Sequence, residues 1–305
     1  MLKYILKRKY SARLSQLELD LDRPKERDRN YHFGGRSFYF FDFDDNVAYL
    51  PSSMFVQHRD GLQELELSTA EWAKHSHSIG KQGPYKDYKV SFDPHSGSYR
   101  RFRDMDLNWW QKKLLRKKQP FVEDMIRALS RMDTEWKGPS WHCFYHAVYN
   151  HRPISLITAR GHSKETIREG ISLFVKHGFL PHEPNYLAIY PVNDIATKRE
   201  LGDYKLELSV PELKRAAIRA SVEMALRRFG HNAPHRFGMS DDDKKNLAFI
   251  MDEMRVLKRE KPNMSFFVIN THASAYVKKE ILLVEDKGRG PKTSSRQLSL
   301  FDTQI

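Results

Sequence analysis

Residues 37–45 read Ser37-Phe38-Tyr39-Phe40-Phe41-Asp42-Phe43-Asp44-Asp45, an apolar run that is followed at once by acidic side chains. A run without polar alternation is typical of a strand that is buried on both faces of a parallel sheet. The acidic residues then fall at the carboxyl end of that strand, which is where open α/β sheets bind their ligands. The stretch therefore predicts a core strand with a polar site at its end.

Further buried strands are predicted along the chain at residues 153–158, 186–190 and 265–269, and residues 235–240 are a shorter strand candidate. Helices are predicted between them, from a cap at Ser163 or Thr166 to Gly178, from Glu212 to Arg228 after Pro211, and from Lys245 to Leu257. Alternating strands and helices indicate an α/β fold with an open parallel sheet and its site at the carboxyl edge.

The chain between residues 49 and 110 has a different pattern. Short alternating runs at residues 62–67 and 88–92 are separated by glycine and proline, which predicts an inserted, partly β element. Helices are expected at residues 109–115 and 121–132. The second of these would present one apolar face, formed by Phe121, Met125, Ala128, Leu129 and Met132.

The composition narrows the class of protein. The 305 residues carry a formal net charge of +13, and no run of eighteen apolar residues suggests a membrane span. Basic residues cluster in the first thirty positions and at Lys112, Lys113, Arg116, Lys117 and Lys118. This excess favours polyanionic partners, nucleic acid first among them, although it is also explained by a basic surface that keeps the protein soluble. A lone cysteine, Cys143, excludes an internal disulfide and fits a cytoplasmic protein.

Two adjacent tryptophans, Trp109 and Trp110, precede the lysine cluster. Such a pair could stack nucleic-acid bases. Packing of an amphipathic helix against the core is the commoner use of such a pair.

Polar groups at three strand ends define the candidate chemistry. Asp42 and Asp44 follow the first strand, Thr158 ends the second, and Asp241 and Asp242 end the fourth. Carboxylates suit Mg²⁺, whereas a hydroxyl and an ammonium group suit the oxygens of a phosphoryl group. An ionised aspartate can attack phosphorus and form an acyl-phosphate. One acidic pair alone would also be explained by a turn that caps a helix, so the interpretation depends on the three clusters meeting in space.

Three stretches resemble motifs of the haloacid dehalogenase superfamily. Phe40-Phe41-Asp42-Phe43-Asp44-Asp45 resembles the first, Ile154-Ser155-Leu156-Ile157-Thr158-Ala159-Arg160 the second, and Phe237-Gly238-Met239-Ser240-Asp241-Asp242-Asp243 the fourth. The resemblance implies Asp42 as the nucleophile and Asp44 as the general acid and base. It also implies Thr158 as a phosphoryl ligand, and a Mg²⁺ site formed by Asp42, the backbone carbonyl of Asp44, and Asp241 or Asp242.

The third motif of that superfamily is a lysine, for which Lys214 fits best and Lys198 is the runner-up. Asn46 is a departure, because the superfamily usually has threonine or valine two residues after its second aspartate. By the same resemblance, the insertion at about residues 49–110 is a cap that shapes access for substrate.

The end of the chain shows a further short motif. Residues 284–296 combine glycine, proline, serine and charge without periodicity, which predicts a disordered linker. Gln297-Leu298-Ser299-Leu300-Phe301 then resembles the peptide by which bacterial replication and repair proteins dock onto the DNA sliding clamp. Gln297, Leu298, Leu300 and Phe301 would make the contacts. A tail that folds back onto its own domain is the alternative.

Together these observations predict three segments. They are a basic arm at residues 1–30, a domain of the haloacid dehalogenase type at residues 31–285, and a flexible tail at residues 286–305. The predicted function is that of a Mg²⁺-dependent phosphohydrolase acting through an aspartyl-phosphate, with nucleic-acid ends or nucleotides as substrates. The alternative is a weakly active or inactive adaptor that is tethered to the sliding clamp.

Overall fold

A computed structural model of the chain describes residues 24–93, 95–272, 276–286 and 290–298. In chain order its strands are β1 (Ser37–Phe41), β2 (Ser53–His58), β3 (Glu64–Ser68), β4 (Tyr88–Lys89), β5 (Pro153–Thr158), β6 (Asn185–Pro191), β7 (Arg236–Asp241), β8 (Ser265–Asn270), β9 (Val277–Asp286) and β10 (Gly290–Gln297). The main sheet has seven strands in the order β10-β9-β8-β7-β1-β5-β6. The strands from β8 to β6 are parallel, while β9 and β10 are antiparallel to their neighbours. The predicted α/β fold is therefore confirmed, and the sheet is parallel over its five strands from β8 to β6, whereas the antiparallel β9 and β10 were not predicted.

Helices cover the main sheet on both faces. In chain order they are α1 (Thr69–His75), α2 (Trp109–Lys113), α3 (Pro120–Leu129), α4 (Asp133–Trp136), α5 (Trp141–Tyr149), α6 (Lys164–Lys176), α7 (Ile195–Glu200), α8 (Val210–Phe229) and α9 (Lys244–Glu260). Short 3₁₀ turns lie at Tyr31–Phe33, Gly83–Tyr85 and Arg100–Phe102.

The two faces of β1 belong to two separate hydrophobic cores. Phe41 packs with side chains of α3, α5 and α6 on one face, whereas Phe38 and Phe40 pack with side chains of α8 and α9 on the other. Successive side chains of a strand point to opposite faces, so a strand covered on both sides has no polar alternation. This double burial explains why β1 appears in the sequence as an unbroken apolar run.

The end of the sheet differs from the expectation. The sequence predicts a disordered linker over residues 284–296, whereas the structure has β9 continuing to Asp286 and β10 pairing with it from Gly290 to Gln297. An edge strand can be held by its backbone ladder alone, and its side chains can be polar. Hydrophobic periodicity therefore gives no signal for a strand such as β10.

The insertion between β1 and β5 contains a small second sheet with the order β3-β2-β4, and all of its pairs are antiparallel. Val56, Leu67 and Ile79 form its own small core. Strands β3 and β4 overlap the alternating runs at residues 62–67 and 88–92, whereas β2 and α1 were not anticipated. Helix α1 starts at a capping box in which Ser68 and Glu71 bind each other's backbone N–H groups.

One predicted helix is shorter than expected. The apolar spacing suggests a helix to Met132, but α3 ends at Leu129 and the Met132 side chain is 62% exposed. The hydroxyl of Ser130 donates to the carbonyl of Arg127 at 2.7 Å, which satisfies an acceptor that continuation of the helix would otherwise use. A separate single turn, α4, follows.

Several predictions concern residues outside the described part of the chain. Most of the basic arm falls there, because the description begins at Pro24, and so do Leu300 and Phe301 of the clamp-like peptide. Within the described residues, none of the helices has both the length and the apolar character that a membrane span requires.

Candidate active site

The topology of the sheet brings the predicted polar residues to one edge. From β1 the chain proceeds to β5 and β6 on one side and returns to β7 and β8 on the other. The order of strands thus reverses between β1 and β7, and ligands of open α/β sheets bind at the carboxyl ends of strands at such a reversal. Asp42 directly follows β1, Asp241 is the last residue of β7, and Thr158 is the last residue of β5.

A buried lysine lies between two of the acids. The Nζ atom of Lys214 is 3.0 Å from Oδ2 of Asp42 and 2.7 Å from Oδ2 of Asp241. Lys214, Asp241 and Asp42 are all buried. Lys214 stands near the start of α8, which begins at a capping box between Ser209 and Glu212. A buried charge is tolerated where opposite charges pair with it, so the three side chains form one mutually dependent unit.

Asp242 completes an acidic cluster. Asp42, Asp241 and Asp242 each offer a carboxylate oxygen, and these oxygens lie within 4.8 Å of one another. The other oxygen of Asp241 accepts from the backbone N–H of Asp243 at 3.0 Å and from the side chain of Asn246 at 3.2 Å. Carboxylate oxygens held this close are ligands of the kind that Mg²⁺ prefers, so the residues present fit the ion.

The electrostatics of the cluster favour a bound cation. Burial raises the pKa of the Asp42 carboxyl well above its ordinary value; Lys214 opposes this shift, while Asp241 and Asp242 add to it. Burial and the neighbouring Asp241 raise the pKa of Asp242 to about 7. Burial works against the charge of Lys214, but Asp241 and Asp42 outweigh it and raise the pKa of its ammonium group. The acids outnumber the lysine that faces them, and a divalent cation would compensate the remaining negative charge.

Asp44 is held by a different partner. Both of its carboxylate oxygens accept hydrogen bonds from Nε of Arg160, and Nη2 of Arg160 lies 2.6 Å from Oδ1. The hydroxyl of Thr158 donates to the same carboxylate at 3.2 Å. A bidentate guanidinium–carboxylate pair is among the stronger and more directional contacts in proteins. Asp44 is thereby fixed beside Thr158, and its side chain does not belong to the acidic cluster.

A second set of contacts fixes Arg160. The guanidinium is buried, lies over the rings of Phe102 and Phe121, and donates to Oγ of Ser52 at 2.6 Å. Ser52 in turn donates to the fully buried Asp124 at 2.7 Å. Arg101 and Arg127 both pair with Asp124. A continuous polar chain therefore connects Asp44 with the insertion and with α3.

Asn46, the departure from the superfamily pattern, has a clear structural task. Its side-chain amide donates to the backbone carbonyls of Asp42 and Ser240 at 2.9 and 3.1 Å, and its oxygen accepts from the hydroxyl of Thr271 at 2.8 Å. It is fully buried and ties together the ends of β1, β7 and β8. Backbone packing is also close here, because a Cβ on Gly138 would lie 2.4 Å from the carbonyl oxygen of Asn46.

The structure distinguishes between the two candidate lysines. Lys214 makes the ion pairs described above, whereas Lys198 lies in α7, a half-buried residue next to Thr197. Sequence reasoning missed the role of Arg160, although it stands two residues after Thr158 at a strand end. That position was the available signal. The sequence contains no comparable signal for Ser52 and Asp124, since a serine in a loop and an acid on a helix are ordinary surface residues.

Comparison with known proteins adds no assignment: no family model, curated protein or solved structure matches the chain.

Proposed function

We propose that the chain is a Mg²⁺-dependent phosphohydrolase of the haloacid dehalogenase type, which acts through an aspartyl-phosphate on Asp42. One observation carries the proposal: the buried Asp42–Lys214–Asp241 unit, with Asp242 beside it, lies at the reversal point of a parallel sheet. The insertion between β1 and β5 would act as the cap over this site.

The chemistry follows from the chain's own groups. A carboxylate oxygen of Asp42 attacks the phosphorus atom, and the bond from phosphorus to the ester oxygen breaks. Lys214, whose Nζ is 3.0 Å from Asp42, orients that carboxylate and offsets negative charge on the phosphoryl oxygens. Water then cleaves the acyl-phosphate and releases phosphate. Mg²⁺, held by Asp42, Asp241 and Asp242, would supply further stabilisation of the phosphoryl charge.

Asp44 would serve as the general acid and base. It would protonate the leaving oxygen in the first step and take a proton from water in the second. Its carboxylate now accepts hydrogen bonds from Arg160 and Thr158. Proton transfer by Asp44 therefore requires that part of this contact be released when substrate enters, and Thr158 would then turn its hydroxyl toward the phosphoryl group.

The experiment is a screen of phosphate monoesters with and without Mg²⁺, using wild-type protein and Asp42→Asn. Wild type should hydrolyse at least one monoester in a Mg²⁺-dependent manner, and Asp42→Asn should lower turnover by about 10³-fold or more. Asp45→Asn is the matched control in the same loop, because residue 45 has a φ of 56° and asparagine tolerates that conformation. Equal losses in the two variants, with both folded, would contradict the nucleophile assignment.

The adaptor alternative and the clamp-like peptide stay predictions. Gln297 is the last residue of β10 and pairs with Lys279, while the backbone N–H of Leu298 donates to the carbonyl of Lys278. Docking of this peptide in a clamp groove would require that its first two residues leave the sheet edge. Deleting residues 297–301 should abolish clamp binding and leave monoester hydrolysis intact; an adaptor would show no hydrolysis in the screen above.

A further inference from the structure

The tryptophan pair on α2 is not part of the protein's core. Trp109 is 59% exposed and Trp110 is 62% exposed, and none of the five residues of α2 is buried. Leu114 and Leu115 directly after the helix are also exposed. Core packing, the commoner explanation for such a pair, is thereby excluded. Adjacent exposed apolar side chains of this size usually mark an interaction site.

The pair is held in a fixed arrangement. Asn108 and Gln111 form a capping box at the start of α2, with both hydrogen bonds at 2.9 Å. The two indole rings meet edge to face, with centroids 5.1 Å apart and an angle of 87° between their planes. The side chain of Gln119 exchanges two hydrogen bonds with the backbone of Met105, which closes residues 105–119 into one loop. Rigid aromatic groups lose little conformational entropy when they bind a partner.

The same loop carries a concentration of positive charge. Its cations are Lys112, Lys113, Arg116, Lys117 and Lys118. Lys118 pairs with Glu169 at 2.9 Å, and the other four make no ion pair with any residue that the structure describes. These four cations outnumber the one acid of the loop, Asp106, and together with the two exposed indoles they are complementary to a chain that bears phosphates and aromatic bases.

The loop starts at the rim of the candidate active site. The carbonyl of Phe102 accepts from the backbone N–H of Gly161 at 2.7 Å, and Asp104 accepts from the backbone N–H of Ser163 at 3.1 Å. Gly161 directly follows Arg160, which pairs with Asp44. The segment that leads into the loop is therefore anchored to the residues that follow Arg160.

We propose that the tryptophan–lysine loop, residues 105–119, binds single-stranded nucleic acid. Bases stack on Trp109 and Trp110, and Lys112, Lys113, Arg116 and Lys117 contact the phosphates. A single strand fits better than a duplex, whose base faces are covered by stacking. The bound strand would deliver a terminal phosphate to Asp42, and this part of the inference rests on the proposed function.

The test measures binding of a fluorescently labelled oligonucleotide of mixed sequence to the full-length protein by anisotropy. Trp109→Ala with Trp110→Ala should weaken binding by at least about 10-fold. Tyr204→Ala, which removes another largely exposed aromatic ring on a different loop, should leave affinity unchanged. Replacing the four unpaired cations with serine should also flatten the dependence of log K on log salt, by up to about 0.7 for each lost phosphate contact.

Further binding measurements test other ligands of the loop. Tighter binding to a duplex than to the single strand would overturn the proposal, and so would binding to phosphatidylserine vesicles without binding to the oligonucleotide. Asp42→Asn should bind the oligonucleotide like wild type, and the double tryptophan variant should hydrolyse a small aryl phosphate like wild type. Failure of hydrolysis with intact oligonucleotide binding would therefore count against the proposed function alone. Absence of oligonucleotide binding by the wild-type protein would count against the proposed role of the loop.

Discussion

Replacing Lys214 with methionine tests the buried ion-pair unit without creating a cavity. The substitution keeps a long unbranched side chain but removes the ammonium group that lies 3.0 Å from Asp42 and 2.7 Å from Asp241. Breaking a buried pair by removing one partner typically costs about 3–5 kcal/mol, because the remaining charges stay buried and uncompensated. We therefore expect the folding equilibrium constant to fall by roughly 10²- to 10⁴-fold.

Urea denaturation at pH 7, followed by tryptophan fluorescence, measures this loss. With an m-value of about 3 kcal/mol per molar urea, the midpoint should fall by roughly 1–1.7 M. Lys198→Met is the matched control, since Lys198 is half-buried in a helix outside the site, and a change within about 0.5 kcal/mol is expected. Millimolar Mg²⁺ should restore more stability to Lys214→Met than to wild type, because the ion replaces the missing positive charge. Equal midpoints for the two lysine variants would show that the contacts of Lys214 with Asp42 and Asp241 do not stabilise the fold.

Three further predictions concern the surroundings of the site. Burial lowers the pKa of His162 well below its ordinary value. As pH falls below about 6.5, the unfolded chain therefore binds a proton at this residue before the folded chain does, and wild type should lose up to about 1.4 kcal/mol of stability per pH unit in that range. In the same urea titrations His162→Phe should lose less stability over this range. Gly138→Ala should lower the free energy of unfolding in urea by about 1–3 kcal/mol, since its Cβ would lie 2.4 Å from a backbone oxygen. Gly238→Ala should be tolerated, because its Cβ would lie 3.8 Å from the nearest heavy atom, the Cβ of Phe267. Arg160→Lys should lower the thermal midpoint by several degrees, because the bidentate contact to Asp44 is lost. Arg127 is half-exposed, and Arg127→Lys should leave the thermal midpoint unchanged. Equal shifts in the two variants would contradict a stabilising role of the contact between Arg160 and Asp44.

The core of the fold could be predicted because its strands are buried on both faces. Strands β1 and β8 appear in the sequence as largely apolar runs, and β5 does so apart from Ser155 and its last residue. Ser163 marks the start of α6, and Pro211 marks the start of α8. Strand β10 could not be predicted in the same way. Its stabilisation comes from backbone pairing with β9, and this leaves no hydrophobic period in the sequence.

The candidate site shows a similar division. The approach of Asp42 to Asp241 follows from a general rule about strand ends, so a sequence pattern was sufficient to suggest it. The approach of Lys214 to the acids depends on where α8 crosses the sheet. The sequence therefore left both Lys214 and Lys198 as candidates, and the structure shows that Lys214 is the one beside Asp241. The contact between Asp44 and Arg160 depends on side-chain conformation, about which residue type alone says little.

The exposure of Trp109 is a third kind of case. Apolar residues are most often buried, so the sequence favoured a place in the core, yet α2 is too short and too basic to build an amphipathic face. An unexpected exposure of this kind points to an interaction rather than to packing.

Mass spectrometry of the protein, quenched in acid during turnover of a phosphate monoester with Mg²⁺, tests directly whether Asp42 forms an aspartyl-phosphate. We predict a phosphoryl group on the peptide that contains Asp42, and its absence from Asp42→Asn under the same conditions. Turnover by wild type with no phosphoryl group on that peptide, or with the group on another residue, would show that Asp42 is not the nucleophile.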